Sequence, residues 1–179
     1  MRLPRVPRSV GPGAARLGAV AFLTAATLWP VAIVGAPYAA LDARPGTAAY
    51  DAAAVVYLVG STICHQRAER SFHDGAVQWP VCARCAGIYL AAPFGALAAL
   101  LVARDRRPRR RRLPVDAADP RWRPVIIAAA LPTLVTVVME WTTGQMTPAL
   151  LRAAAGVPIG FAVAWFVTVA LVGAGRVLE

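Results

Sequence analysis

Long apolar runs separated by short polar interruptions organise this chain. Residues 17–41, 86–103, 125–139 and 153–175 carry no charged side chain and are dominated by Ala, Val and Leu. The first and last exceed the roughly 20 residues that a helix needs to cross about 30 Å of hydrocarbon. Residues 86–103, at 18, sit near the lower limit. The run at 125–139 reaches spanning length only with Trp122 and Trp141 as interfacial anchors, a place that suits the amphipathic indole. A fifth run, 52–63, has 12 uncharged residues after Asp51, a length that fits either a short span or a re-entrant half-helix. The pattern predicts an all-α, polytopic helical membrane protein with four to five membrane-embedded helices.

Composition agrees. With 58% hydrophobic and 16% charged residues and a mean hydropathy of +0.55, there is too little polar material to cover a soluble surface. Residues 1–16 form a basic tail containing Arg2, Arg5, Arg8 and Arg16, and 17–179 read as one transmembrane domain. A basic start followed by an apolar run resembles a signal peptide. This run is longer than the usual h-region of about 7–15 residues and has no A-x-A site to close it, so an uncleaved helix is expected.

Charge sets the expected orientation. All 19 basic residues are arginine, which with the Ala and Gly content suggests a GC-rich coding genome, and the net charge is +10. Nine arginines fall within residues 104–123, in the one long loop between two apolar runs. Such a loop beside membrane helices is the expected cytoplasmic flank, drawn to anionic headgroups. No aromatic platform or groove-reading motif accompanies it, so the bilayer is the expected partner and nucleic acid is not. A cytoplasmic Arg loop puts residues 64–85 at the outer face. An arrangement of four spans with 52–63 as a half-helix places the N-terminal arginines inside as well, whereas five full spans leave them outside.

Residues 64–85, CHQRAERSFHDGAVQWPVCARC, hold all three cysteines, both histidines and three arginines. The stretches CHQRAERSF and PVCARCAGIY resemble the C-H-Q-x-x-x-R-S-F and P-V-C-A-R-C-x-G-I-Y pattern of the DUF2085 family of bacterial and archaeal integral membrane proteins. The resemblance extends more loosely through residues 140–160, where Glu140, Arg152 and Gly156 fit the pattern. Thr147 is followed by Pro148 where relatives carry Asn, and Ala68 replaces a proline. The resemblance implies a multi-pass protein of a bacterial cell (plasma) membrane and names no activity.

The chemistry is read from the residues. Cys82 and Cys85 form a C-x-x-C pair, and Cys64 with His65 adds a thiol and an imidazole. Together they supply the donors of a Cys3His site suited to zinc or iron. Adjacent residues such as Cys64 and His65 can both ligate one ion only on a bent backbone, and His73 is the alternative fourth ligand. A second chemistry is thiol–disulfide exchange. Cys82 and Cys85 would start a helix whose free N–H groups, with Arg84 between them, favour a thiolate, and Cys64 would be the resolving thiol of a membrane oxidoreductase. A structural disulfide, Cys82 to Cys85 or Cys64 to Cys82, in a non-catalytic protein is the third reading.

Arg67, Arg70 and Arg84, with Ser71 and Gln66, are candidates for anion or headgroup contact, or for pairing with Glu69 and Asp74. Glu140 and Arg152, at neighbouring ends of the last two apolar runs, are a candidate intramembrane pair. Gly87, Ala91, Gly95 and Ala99 recur every fourth residue, and Gly156 and Gly160 repeat the step. Such stripes are expected helix contact faces, and a homo-oligomer through them is the partner expectation beside lipid. No P-loop, G-x-S-x-G, H-E-x-x-H or internal repeat is present, so the common soluble-enzyme classes are not indicated.

Overall fold

The computed structural model describes residues 12–42, 44–104 and 120–174. Five α-helices and one β-hairpin follow in the order α1 (Pro12–Asp42), α2 (Ala48–Ile63), β1 (Ser71–Asp74), β2 (Val77–Cys82), α3 (Ala83–Arg104), α4 (Trp122–Thr143) and α5 (Ala149–Ala174). The fold is an all-α membrane bundle. α1, α3, α4 and α5 are long and apolar enough to cross a bilayer, whereas α2, at 16 residues, is a shorter apolar helix. In chain order, the first four apolar runs read from the sequence lie inside these helices, and the described part of the last, 153–174, lies inside α5. Four of the helices contain proline, which spanning helices tolerate because neighbours re-satisfy the freed carbonyl. The Arg-rich loop falls outside the described residues from 105 to 119, as do residues 1–11 of the basic tail.

Local signals set the helix ends. Thr47 caps α2, its hydroxyl accepting the Tyr50 N–H at 3.4 Å and so satisfying one of the free donors of the first turn. At the end of α4, Gly144 adopts φ 67° and donates its N–H to the Glu140 carbonyl, the left-handed stop that glycine makes without steric cost.

α3 and α5 form the central seam. Gly87 lies against the backbone of Ala153, Gly95 against Phe161, Gly156 against Arg84 and Gly160 against Ile88, each so closely that a Cβ would collide with a carbonyl. The two small-residue stripes therefore face one another within a single chain, where close backbone approach maximises dispersion contact. α5 is the most enclosed span, with 44% of its apolar window buried, against 11% for α4. Large side chains such as Leu17, Leu28, Phe94, Ile127 and Leu150 are exposed, an outer surface suited to lipid rather than water.

The helices run up and down. Gly18 near the start of α1 lies against Leu171 near the end of α5, and Trp122 at the start of α4 packs beside Ala99 and Val102 of α3. At the other end, Ile33 of α1 meets Cys64, Val81 and Ala86. α2 folds back along the last turns of α1, where Ala40 lines a shallow pocket with Tyr50, Ala53 and Tyr57. It ends at the level where α3 begins.

Two details differ from the sequence reading. Trp122 is 5% exposed and stacks edge-on against Phe166 at 4.9 Å. It is a packed side chain, while Trp141, 78% exposed, keeps the character of a surface anchor. The second difference is the hairpin inside the cysteine segment. Asp74 pairs with Val77 across a two-residue loop that opens with Gly75 at φ 58°. Glycine at the first position of a two-residue loop is a hairpin signal, and Gly75 was available in the sequence.

Candidate metal centre

Three short structures bring the thiols together. Cys64 follows the last turn of α2, Cys82 ends β2, and Cys85 stands in the first turn of α3. Their Sγ atoms all lie within 4.8 Å of one another. All three are free thiols. Cys64 is buried, and Cys82 and Cys85 are half-buried. The wall is apolar and aromatic: Ile33, Val81 and Ala86 are fully buried, with Trp29, Phe72, Trp79 and Tyr89 packed against them. The Trp29 and Tyr89 rings meet edge-to-face at 6.1 Å.

The backbone between α2 and β1 is held by side-chain amides. Gln66 takes φ 46°, a left-handed conformation that costs a non-glycine residue about 1 kcal/mol or more. Its Nε2 donates to the carbonyls of Tyr57 at 2.8 Å and Pro80 at 2.7 Å. Gln78 Nε2 donates back to the Gln66 carbonyl at 2.5 Å, and the Tyr57 hydroxyl donates to the Gln78 carbonyl. Gly60 leaves room for the Pro80 carbonyl, which a Cβ there would strike. These bonds tie α2 to β2, and so fix Cys64 opposite Cys82. Trp79 Nε1 donates to Asp74 at 2.8 Å and Ser71 Oγ to the Arg67 carbonyl at 3.0 Å.

Electrostatics favour anionic sulfur at Cys82. The Cys82 N–H donates to Cys64 Sγ at 3.2 Å. The Cys82 thiol is pushed down to about 5, chiefly by a hydrogen bond from the Cys85 thiol, with help from the N–H groups of Cys85 and Arg84 and against the cost of burial. Free donors of a first helical turn act in this way on any thiol placed at their mouth.

A buried polar network adjoins this group. Arg152 is 2% exposed, and its Nε meets Glu140 Oε1 at 2.6 Å. Its other nitrogens reach the Glu69 carbonyl at 3.3 Å and Met146 Sδ at 2.8 Å. Arg84, between the two helix-start cysteines, extends to α4, with Nη2 at 3.1 Å from Thr136 Oγ1 and 3.6 Å from Glu140 Oε1. Glu140 thus accepts a hydrogen bond from Arg152 and lies in ion-pair range of Arg84, a pairing that makes its burial tolerable.

The other sequence candidates fall in different places. His65 is exposed and does not join the thiol group. The cause is local: Cys64 is extended, at φ −146° and ψ 140°, and successive side chains of an extended backbone point to opposite sides. His73, on β1, is exposed as well. Arg67 is exposed and meets Glu69 at 3.8 Å, while Arg84 points inward, so the arginines do not form one forked set. Asp74 serves Trp79. Gln66 and Gln78 were missed as the clamp that positions Cys64, because a side chain bonding to distant carbonyls leaves no periodic mark in a sequence.

Comparison with known proteins agrees with the motif reading: the family described as a predicted membrane protein, DUF2085, matches residues 64–166. No curated protein and no solved structure matches the chain.

Proposed function

Since the chain belongs to the DUF2085 family of membrane proteins, whose description carries no activity, we propose from the site itself that it is a metal-binding protein of a bacterial plasma membrane. Cys64, Cys82 and Cys85 bind one transition-metal ion such as zinc or iron. The observation that carries this reading is the convergence of three thiols from three separate elements to within 4.8 Å. A tetrahedral ion with metal–sulfur bonds of about 2.3 Å needs sulfurs about 3.8 Å apart, a closure the first turn of α3 can supply by rotamer change. Soft thiolates suit these ions, and the Cys85 and Arg84 N–H groups help to hold the Cys82 sulfur in the ligating, anionic form. The segment lies at the outer face if the arginine clusters face the cytoplasm.

The test is elemental analysis of purified protein with a free-thiol count. About one ion per chain is expected, with Cys64→Ser, Cys82→Ser and Cys85→Ser each losing most of it. Full retention in all three variants would refute the site.

A second reading, a thiol–disulfide oxidoreductase, is favoured by the low Cys82 thiol. Its thiolate persists at any pH above about 5, so iodoacetamide should modify Cys82 of metal-free protein with little loss of rate until the pH approaches that value. An ordinary thiol slows below about 8.5. With metal bound, the same cysteine should be protected until a chelator is added. Rapid cycling of the pair with a quinone in chelated protein would favour the redox reading over coordination.

A further inference from the structure

We infer that the metal centre is an open one: three cysteines complete the protein's share, and the fourth position takes a small neutral donor from the aqueous side, water at rest. This rests on the metal reading above and specifies what that site binds besides its ion.

The donor inventory leads there. The chain has two histidines, and both are exposed and outside the thiol group. Among the described residues, no imidazole or carboxylate joins the three sulfurs. The carboxylates nearest in sequence are committed elsewhere, Asp74 to the Trp79 indole and Glu69 to Arg67. Beyond Cys85, α3 runs on to Arg104, about 28 Å at 1.5 Å per residue. The rest of the wall, among the described residues, is hydrocarbon and aromatic ring, with the Tyr89 phenol beside the thiols.

Access comes from one side. Cys64 is closed off beneath Val81 and Ile33, whereas Cys82 and Cys85 keep part of their surface open. A zinc-type ion with three protein ligands and an accessible fourth position binds water or substrate there, whereas a structural ion is closed by four protein ligands.

Charge selects the ion and the donor. Three thiolates around a divalent ion leave one negative charge. Arg84 and Arg152 against Glu140 leave one positive charge in the adjoining network. A neutral fourth ligand preserves this balance in a poorly solvated site; a monovalent ion or an anionic fourth ligand leaves a surplus charge that burial penalises.

The experiment uses full-length protein loaded with cobalt(II) and, separately, zinc(II). X-ray absorption of the zinc form should show three sulfurs and one light atom without the scattering signature of imidazole. Adding imidazole should shift the cobalt(II) absorption saturably, equally in wild type and in the His65→Ala/His73→Ala double variant, which should hold metal within about twofold of wild type. A first shell containing histidine, or four sulfurs, would overturn the open site while leaving the metal reading intact. So would a cobalt spectrum that ignores imidazole in wild type and responds only in the double variant. Protein that binds neither ion would overturn both.

Discussion

The two ends of this bundle are buried in different ways. At the end of α3 near Arg104, Ala99, Trp122, Trp165 and Val169 fill the interior, with Phe161 and Phe166 packed around them. At the hairpin end the interior holds thiols, side-chain amides, two arginines and a glutamate, each with a named partner. Rings can slide and repack with modest loss, because dispersion has little directionality. A guanidinium or carboxylate in the same position has one acceptable geometry, and losing a partner leaves the other stranded in a medium that offers no water. The apolar end makes the bundle cohere; the polar end makes one arrangement of it unique and places the chemistry.

The largest expected effect strikes the polar end. Arg152→Met removes the closest partner of Glu140 and frees the Glu69 carbonyl, so the variant should lose about 4 kcal/mol of stability. Denaturation in detergent would measure it. Glu140→Leu added to Arg152→Met should recover a good part, since no buried carboxylate then remains and Arg84, 16% exposed, can turn toward water. A loss in the double variant equal to the sum of the losses in Arg152→Met and Glu140→Leu alone would show that the pair is not coupled.

Trp122→Ala tests the other end. Deleting a buried indole costs about 3 kcal/mol through lost contact and a cavity. Metal content should be unchanged, because Trp122 packs at Ala99, 14 residues along α3 from Cys85, or about 20 Å away. A parallel fall in metal and stability would mean that the two ends do not act separately.

These contrasts also mark what the sequence reveals. Uninterrupted apolar runs disclose spanning helices, since length and hydropathy alone decide them. The thiols and the Glu140–Arg152 pair stand out because reactive and charged groups are rare in such a chain. Trp122 was mistaken for an anchor because an indole at a helix start suits interface and core equally. The separation of His65 from Cys64 depends on one residue's backbone angles, and the role of Gln66 on carbonyls nine and fourteen residues distant, neither of which composition or period encodes.

Gln66 gives the smallest effect and the finest test of the comparison. Glycine at this position adopts positive φ freely, so Gln66→Gly relieves about 1 kcal/mol of backbone strain. The same change deletes the amide that donates to Tyr57 and Pro80, and each such bond is worth about 1 kcal/mol net, more if a carbonyl is left unpaired. The balance should be a loss of about 1 kcal/mol, measurable in the same denaturation assay. Because that amide fixes the end of α2 to β2, the variant should also release metal to a chelator faster than wild type, though Trp122→Ala, the costlier change, should not. A Gln66→Gly protein more stable than wild type and unchanged in metal release would mean that the clamp does not position Cys64, and that the polar end tolerates substitution as loosely as the apolar one.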